Sequence, residues 1–293
     1  MYLDFTKMHG SGNDYIFIDC FDITLDSPEQ LSVRLSDRHF GIGGDGLVMI
    51  MRSDNADAKM RMFNSDGSEG KMCGNAIRCV AKYLYDNQII PKQSINIETL
   101  SGIKSISLTT QNGVATHATV DMGHAILNPE LIPIRTDILP MDSLSPAQEK
   151  IVAMPVNIGG AEYEISCVSM GNPHAVVFCE NVDNIAISTI GPLFENNPLF
   201  PDRVNTEFVE VLGRNRLKMR VWERGSGETL ACGTGACAAA VAAVLNDHCD
   251  EDTAISVLLP GGELIINYTG GIVHMTGDCI KVFHGTIEMG NDK

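Results

Sequence analysis

Residues 230–245 read LACGTGACAAAVAAVL, and this stretch contains no charged side chain. After Gly233, Thr234 and Gly235 its small apolar residues continue without interruption to Leu245, which predicts a helix over residues 234–245. A helix that is apolar on every face must be buried on every face. We therefore expect strands to wrap around this helix. The stretch is also shorter than the ~20 strongly apolar residues that a membrane span requires.

The same local pattern predicts a second helix earlier in the chain. Residues 65–75 read SDGSEGKMCGN, and residues 224–234 read RGSGETLACGT. Each segment has a turn rich in Gly, an acidic residue and then Cys-Gly, which predicts the start of a helix and places the second one over residues 75–85. Short apolar runs elsewhere predict strands. These runs are residues 16–18, 47–51, 103–108, 175–178 and 255–259.

The chain also matches itself at an offset of 159 residues (232 − 73). Gly12-Asn13 matches Gly171-Asn172, the Lys-Met-Arg of residues 59–61 matches residues 218–220, and Cys73-Gly74 matches Cys232-Gly233. A constant offset over separate segments that include an uncommon residue type is hard to obtain by chance. We infer two halves that descend from one unit. The stretch of residues 128–155, rich in Pro and polar residues, is the best candidate for the connection between them, and an earlier boundary remains open.

The composition excludes several classes of protein. The 293 residues carry 37 acidic and 21 basic side chains, which gives a formal charge of −16 and a surface that repels nucleic acid and anionic lipid. The apolar content of 44% is that of a folded protein, and a length of 293 residues predicts about two domains. The first residues lack the basic and apolar segments of a secretory signal, which favours the cytoplasm. We therefore expect neither nucleic acid nor a membrane as a partner.

The cysteines and histidines indicate free thiols and no metal site. Nine cysteines are an odd number, and no two of them have the C-x-x-C spacing of a zinc or redox motif. The eight histidines form no H-E-x-x-H motif. Residues 41–46 read GIGGDG and match the dinucleotide pattern G-x-G-x-x-G, but they precede a strand instead of opening a helix. We interpret them as a turn.

Cys73 and Cys232 are the candidate reactive groups because each lies where a helix begins. Unpaired backbone N–H groups at a helix N-terminus favour negative charge, so they can lower a thiol pKa from ~8.5 to ~7 and attract a carboxylate ligand. Packed about a pseudo-two-fold axis, the two halves would place both sulfur atoms at one shared cleft. Inversion of a stereocentre needs one group to remove a proton and a second to deliver a proton to the opposite face, which two thiols can do.

Six motifs together make the chain recognisable. They read HGSGNDY (9–15), FNSDGS (63–68), MCGN (72–75), MGNPH (170–174), ERG (223–225) and ACGTG (231–235). In type, order and spacing they closely resemble the motifs of diaminopimelate epimerases. The resemblance covers essentially the whole chain.

The resemblance implies both a fold and a reaction. The fold would be α/β (α+β), with two pseudo-symmetric halves that each form a curled, mostly antiparallel sheet around a central helix. One half would comprise residues 1–118 with a C-terminal strand at 278–293, and the other residues 119–277. The enzyme would be a cofactor-independent isomerase that interconverts LL- and meso-2,6-diaminopimelate, a step in the synthesis of lysine and cell-wall precursors.

The resemblance also implies the roles of individual residues. Cys73 and Cys232 would be the catalytic acid and base. The reacting end of the substrate would contact Asn13, Gly74, Asn75, Gly233 and Thr234. The distal end would contact Asn64, Asn172, Asn205, Glu223 and Arg224, whose amides, carboxylate and guanidinium suit a zwitterion. Independently of the resemblance, His174 and Glu223 lie near the matched segments that carry the cysteines, and we expect them to tune the thiols.

Two other functions remain open at this point. A racemase of proline or hydroxyproline would use the same two thiols with a different distal pocket, and the set Asn64, Glu223 and Arg224 argues against it. A thiol-redox protein would instead form a regulatory disulfide between Cys73 and Cys232. The residues also leave open whether the protein is a homodimer.

Overall fold

The computed structural model describes residues 2–138 and 150–289, and the chain divides into two compact units. The first unit comprises Met1–Asp121 and Thr276–Lys293, and the second comprises Met122–Met275. The sequence predicts the corresponding halves as 1–118 with 278–293, and 119–277.

The described residues form four α-helices and eighteen strands. The helices are α1 (Pro28–Ser36), α2 (Gly74–Asp86), α3 (Ile187–Glu195) and α4 (Gly233–Leu245). The strands are β1 (Tyr2–Gly10), β2 (Asn13–Asp19), β3 (Gly46–Met51), β4 (Ala58–Asn64), β5 (Glu69–Gly70), β6 (Ser94–Thr99), β7 (Gly102–Gln111), β8 (Val114–His124), β9 (Met154–Ile158), β10 (Ala161–Ser169), β11 (Pro173–Cys179), β12 (Asn205–Gly213), β13 (Arg216–Glu223), β14 (Gly227–Thr229), β15 (Ala254–Leu259), β16 (Gly262–Thr269), β17 (Ile272–Asp278) and β18 (Ile280–Glu288).

The two units repeat one order of strand pairing. In the first unit β1–β2, β3–β4, β4–β5 and β6–β7 are antiparallel, whereas β2–β3 and β4–β6 are parallel. In the second unit β10–β11, β12–β13, β13–β14 and β15–β16 are antiparallel, whereas β11–β12 and β13–β15 are parallel. Each parallel pair is joined by a crossover that contains a helix, as parallel strands require. The predicted mixed, mostly antiparallel architecture is confirmed.

Helix α4 is the centre of the second unit. It packs against β10, β11, β12, β13, β15 and β16, and Gly235 and every residue from Ala236 to Ala243 is buried. The prediction that this helix is buried on every face is therefore confirmed. Small side chains allow the surrounding strands to approach it closely from several directions. In the described part of the chain, no helix combines the length and the apolarity needed to cross a membrane.

Helix α2 occupies the corresponding place in the first unit, but it buries two cations. Arg78 is fully buried and donates from Nε to the carbonyl oxygen of Asp278 at 3.0 Å and from Nη1 to that of Gly74 at 3.1 Å. Lys82 pairs with Asp86 one helical turn later at 2.7 Å. These partners offset the desolvation of charged groups inside the unit.

The five predicted strand runs lie within β2, β3, β7, β11 and β15.

The prediction that residues 128–155 connect the two halves is wrong. This stretch belongs to the second unit, where its described part contains two 3₁₀ turns, Pro129–Leu131 and Thr136–Ile138, and the start of β9. Its apolar residues Ile132, Ile134 and Ile151 lie in the core of that unit, which anchors the segment there. Residues 139–149 of the predicted connection lie outside the described residues.

Candidate active site

Cys73 is the N-cap of α2. Its backbone is extended, with φ −131° and ψ 120°, and its sulfur accepts a hydrogen bond from the backbone N–H of Ala76 at 3.5 Å. A side-chain acceptor at this position satisfies one of the unpaired donors of the first helical turn. The helix therefore begins at Gly74, one residue before the predicted start, and Cys73 is half-buried at its end.

Cys232 is the N-cap of α4 in the same manner. Its backbone has φ −117° and ψ 111°, and its sulfur accepts from the backbone N–H of Gly235 at 3.4 Å. A Cβ atom on Gly235 would lie 2.6 Å from Oε1 of Glu207, so the close approach of that carboxylate requires glycine here. Cys232 is buried. Both helix predictions are confirmed to within one residue at their N-termini.

Around Cys73, the first unit assembles a set of amides and a carboxylate. The amide oxygen of Asn13 accepts from the Cys73 thiol at 3.4 Å and from Nδ2 of Asn75 at 3.3 Å. The amide nitrogen of Asn13 donates to Oδ2 of Asp45 at 2.7 Å. Tyr15, which is buried, interacts with the same sulfur, and burial followed by the charge of Cys73 raises the pKa of its hydroxyl. Three residues predicted from the motifs, Asn13, Cys73 and Asn75, thus come together.

Around Cys232, the second unit forms a continuous chain of hydrogen bonds. Oγ1 of Thr234 lies 3.5 Å from the sulfur and accepts from Nδ2 of Asn172 at 3.3 Å. Oδ1 of Asn172 lies 3.1 Å from Nε2 of His174, and Nδ1 of His174 lies 2.7 Å from Oε1 of Glu207. His174 and Glu207 are completely buried. The chain links a buried carboxylate to the thiol through three intermediate side chains.

Glu223 and Arg224 lie at the end of β13 and the turn that follows it. The hydroxyl of Thr229 donates to Glu223, and the Glu223 carboxylate interacts electrostatically with Cys232. Asn205 holds the turn, because its Oδ1 accepts from the backbone N–H of Arg224 at 2.9 Å and its Nδ2 donates to the carbonyl of Pro173 at 3.1 Å. The guanidinium of Arg224 donates to the carbonyl of Asp202 at 2.8 Å.

The structure therefore groups the predicted distal residues differently. Asn172 donates to Thr234, the neighbour of Cys232 along the helix, and Glu223 interacts electrostatically with Cys232, so both lie near this thiol. Asn205 and Arg224 are joined to each other beside β13. Asn64 belongs to the first unit, where its Nδ2 donates to Oγ of Ser68 at 3.0 Å.

The surroundings raise the pKa of both thiols, whereas their position at helix N-termini alone predicts a lowered pKa. Burial raises the pKa of Cys73, although the N–H groups of Ala76 and Asn75 and the charge of Arg78 counteract it. Burial also raises the pKa of Cys232, and the carboxylates of Glu223 and Glu207 raise it further. The predicted lowering is thus wrong for the chain alone, because desolvation of a thiolate outweighs one or two hydrogen bonds.

Burial has the same effect on the carboxyl group beside Cys232. It raises the pKa of Glu223, and the nearby Glu207 carboxylate acts in the same direction. The second unit therefore holds a thiol and a carboxyl group that both resist ionisation. A bound cationic group, such as the ammonium of an amino acid, would relieve this cost.

Sequence reasoning missed three residues of these surroundings. Asp45 lies in the 41–46 turn, to which the sequence assigns no chemical role, and Glu207 lies on β12. Tyr15 belongs to the HGSGNDY motif, and the motif alone assigns it no role. A signal for Tyr15 was available, since it occupies the place of His174 at the offset of 159 (174 − 15). No comparable signal pointed to Glu207, because Val48 occupies the matched place (207 − 159).

Two further observations concern the chemistry that these groups can support. All nine cysteines lie within the described residues and are free thiols. In those same residues no group of three or more His, Cys, Asp or Glu side chains has the arrangement of a metal site.

Comparison with known proteins matches the chain to one family model, described as Diaminopimelate epimerase, over residues 5–128 and 166–282. The chain belongs to the diaminopimelate epimerase family. Among its relatives, the diaminopimelate epimerase of Acetivibrio thermocellus is 54% identical over 287 residues, which cover 97% of this chain and 98% of that protein. The diaminopimelate epimerase of Desulfovibrio desulfuricans is 53% identical over 285 residues, or 97% of each.

The fold is shared more widely than the family. A solved structure of a probable proline racemase from Agrobacterium radiobacter has a TM-score of 0.68 at 12% identity, and the match covers 99% of this chain and 94% of that one. At that identity the likeness concerns the fold alone. The resemblance to diaminopimelate epimerases that the motifs indicated is confirmed by the family match.

Proposed function

We propose that this protein interconverts LL- and meso-2,6-diaminopimelate, with Cys73 and Cys232 as the acid and base. Membership of the epimerase family, at 54% identity over nearly the full length, is the observation that carries the proposal. It is supported by the matched placement of two cysteines as N-caps of α2 and α4. The enzyme is an isomerase with a small-molecule substrate.

The reaction removes one proton from the α carbon of the substrate and adds another proton to the same carbon. One sulfur, as thiolate, removes the α proton, the C–H electron pair stays on the carbon, and the other sulfur, as thiol, delivers its proton to the opposite face. The first cysteine ends as a thiol and the second as a thiolate, so the reverse reaction uses the same two groups in exchanged roles. Charge and atoms balance without an additional reagent.

Stabilisation of the intermediate carbanion is the most difficult part of the reaction. The α carboxylate must accept negative charge from the carbon, and preorganised N–H donors worth about 3 kcal/mol each are the means that proteins use. Helices α2 and α4 both begin directly after a cysteine, so the backbone N–H groups of their first residues, Gly74, Asn75, Gly233 and Thr234, have no acceptor within the helix. We assign these residues, with Asn13, to the reacting end of the substrate.

The remaining residues divide between the two ends of the substrate. We keep Asn64, Asn205 and Arg224 for the distal end, with Asn205 acting through its hold on the Arg224 backbone. We move Asn172 and Glu223 to the reacting end, because Asn172 donates to Thr234 beside Cys232 and the charge of Glu223 acts on Cys232. There the Glu223 carboxylate is suited to accept a charge-assisted hydrogen bond from the α ammonium of the substrate.

Deuterium exchange at the α carbon tests the function directly. LL-diaminopimelate is incubated with the reduced protein in deuterated water, and optical rotation and deuterium uptake are followed together. We expect both for the wild type and a loss of inversion, by about 1000-fold, for Cys73→Ala and Cys232→Ala, with deuterium exchange of the LL isomer lost in the variant that lacks the sulfur facing its α proton. The control is Cys179→Ala, a half-buried thiol on β11 that has no part in the proposed chemistry.

The same assay separates the two alternatives. Exchange on proline with none on diaminopimelate would favour the racemase. Unchanged exchange in both cysteine variants would contradict the two-thiol mechanism, and a difference between reducing and oxidising buffer without any exchange would favour the redox function.

A mechanism that uses two free thiols requires a reducing compartment, and we propose the cytoplasm for this reason.

We also propose that the protein forms a homodimer through the paired strands β1 and β18. Val282 and Phe283 on β18 are 54% and 46% exposed, and Tyr2 on β1 is 70% exposed. Large apolar side chains left exposed on two neighbouring strands are more typical of a contact surface than of a free one. Light scattering is expected to give twice the mass of the chain for the wild type and a single mass for Phe283→Ser. A monomeric wild type would contradict this proposal.

A further inference from the structure

The amide group of Asn13 has only one orientation that its neighbours allow. Oδ2 of Asp45 lies 2.7 Å from the Asn13 side chain and also accepts from the backbone N–H of Asp14 at 3.1 Å. A carboxylate offers acceptors only, so the amide nitrogen of Asn13 must face Asp45. The amide oxygen of Asn13 then faces α2, where it accepts from Nδ2 of Asn75 and from the thiol of Cys73.

Asp45 is itself held in place from several sides. Its Oδ1 accepts from Nη2 of Arg38 at 2.9 Å, and its backbone bonds to Asp14 and Ser65. Arg38 also pairs with Asp14, which in turn pairs with the buried Lys7 at 2.7 Å. The orientation of the Asn13 amide is therefore fixed by a network that reaches from the surface to the thiol.

The matched asparagine of the second unit faces its helix with the other end of its amide. Asn172 directs its oxygen to His174 and its nitrogen to Thr234, which neighbours Cys232. The position that matches Asp45 is Val204 (204 − 45 = 159), which has no acceptor side chain. The two equivalent asparagines therefore differ. Asn13 presents an acceptor to Cys73, whereas Asn172 presents a donor toward the helix start at Cys232.

We propose that Asp45 is a positioning residue that turns the Asn13 oxygen toward Cys73 and thereby favours the protonated thiol of that cysteine. An acceptor at 3.4 Å stabilises S–H and disfavours the thiolate, which needs donors. Asp45 does not touch the reacting atoms and acts through Asn13. A role of Asp45 in catalysis rests on the proposed function. Its effect on the protonation of Cys73 does not, because that protonation can be measured without substrate.

The test is the pH profile of alkylation of Cys73 by iodoacetamide, with the modified peptide identified by mass spectrometry. Thiolate is the reactive form, so the profile reports its fraction. Asp45→Asn gives the Asn13 amide a partner that also donates, and we expect Cys73 to react about tenfold faster below the midpoint of its profile. Asp45→Ser provides a second variant with the same expectation. The control Asp37→Asn changes an exposed carboxylate that bonds to the backbone of His39 and Phe40, and we expect no shift.

A double-mutant cycle distinguishes positioning from simple charge removal. Asn13→Ala removes the acceptor but keeps the Asp45 carboxylate, and it too should make Cys73 more reactive. If Asp45 acts through Asn13, then Asp45→Asn adds nothing in the Asn13→Ala background. A full additional effect in that background, or an unshifted profile for both Asp45 variants in the wild-type background, would overturn the proposal. Failure of the deuterium exchange assay would leave this result standing and would count against the proposed function alone.

Discussion

The two units build the same helix N-terminus and surround it with different charges. In the first unit the Cys73 thiol has the amides of Asn13 and Asn75 and the buried cation of Arg78 nearby. In the second unit the Cys232 thiol has two carboxylates, Glu223 and Glu207, and the position that matches Arg78 is an uncharged Cys237 (237 − 78 = 159). Two helix N-termini with the same backbone geometry can therefore have charges of opposite sign near their thiols.

This difference suits a reaction that needs one base and one acid at a time. A cation beside Cys73 favours its thiolate, and carboxylates beside Cys232 favour its thiol. The amide oxygen of Asn13 acts against the first of these effects, so the thiols are brought closer in acidity than the charges alone would make them. Two groups of similar acidity can exchange roles between the forward and the reverse reaction.

The largest expected effect comes from the third residue of each helix. Gly235→Ala would place a Cβ atom against the Glu207 carboxylate, and we expect a loss of about 3 kcal/mol in the free energy of unfolding, measured by urea denaturation. The matched change in the first unit is Ala76→Gly (235 − 76 = 159), where Val48 replaces Glu207. There we expect a loss of about 1 kcal/mol from helix propensity alone. Equal losses would show that Glu207 does not constrain α4.

A smaller effect is expected when one of the two carboxylates is neutralised. Glu223→Gln removes a negative charge beside Cys232, so its thiolate becomes easier to form, and we expect its alkylation at pH 8 to be about tenfold faster. Alkylation of Cys73, measured in the same digest, serves as the internal control and should be unchanged. A parallel rise in both cysteines would indicate a loosened fold instead of a local charge effect.

The smallest effect is the difference between the two thiols of the wild type. Burial raises the pKa of both, and the carboxylates raise that of Cys232 further, so thiolate forms at each site only as pH rises above the ordinary range of a thiol. We expect the alkylation rate of Cys73 to exceed that of Cys232 severalfold between pH 7 and 9. The rate for Cys232 should still be rising where that for Cys73 has levelled. The reverse order would mean that Thr234 and the helix outweigh the carboxylates.

Local patterns predicted much of the fold. The Cys-Gly pairs located both helices to within a residue at their starts, and the uncharged run of α4 predicted its complete burial. The self-match at one offset predicted two halves, and both units contain the same order of strand pairing. The 128–155 stretch was misplaced because prolines and polar residues dominate its composition, while the three isoleucines that anchor it make contacts only after folding.

The candidate site was less accessible to the same reasoning. Asn13, Asn75 and Thr234 were found because motifs recur around them. Asp45 and Glu207 were missed because their roles depend on hydrogen bonds to residues 32 and 33 positions away, Asn13 and His174. The sequence located both helix N-termini correctly, but it predicted a lowered pKa for the thiols there. Burial raises both pKa values, and the position of a helix N-terminus in the sequence does not indicate how deeply its thiol is buried.

The order of residues alone determined the two cysteine-capped helices and the family to which the chain belongs. These depend on short-range patterns, because helix initiation and motif identity involve residues within a few positions of each other. Only the tertiary structure decided which end of each asparagine amide faces the helix and which carboxylates lie beside which sulfur. Those features depend on partners from distant strands and on desolvation, and both exist only once the chain has folded.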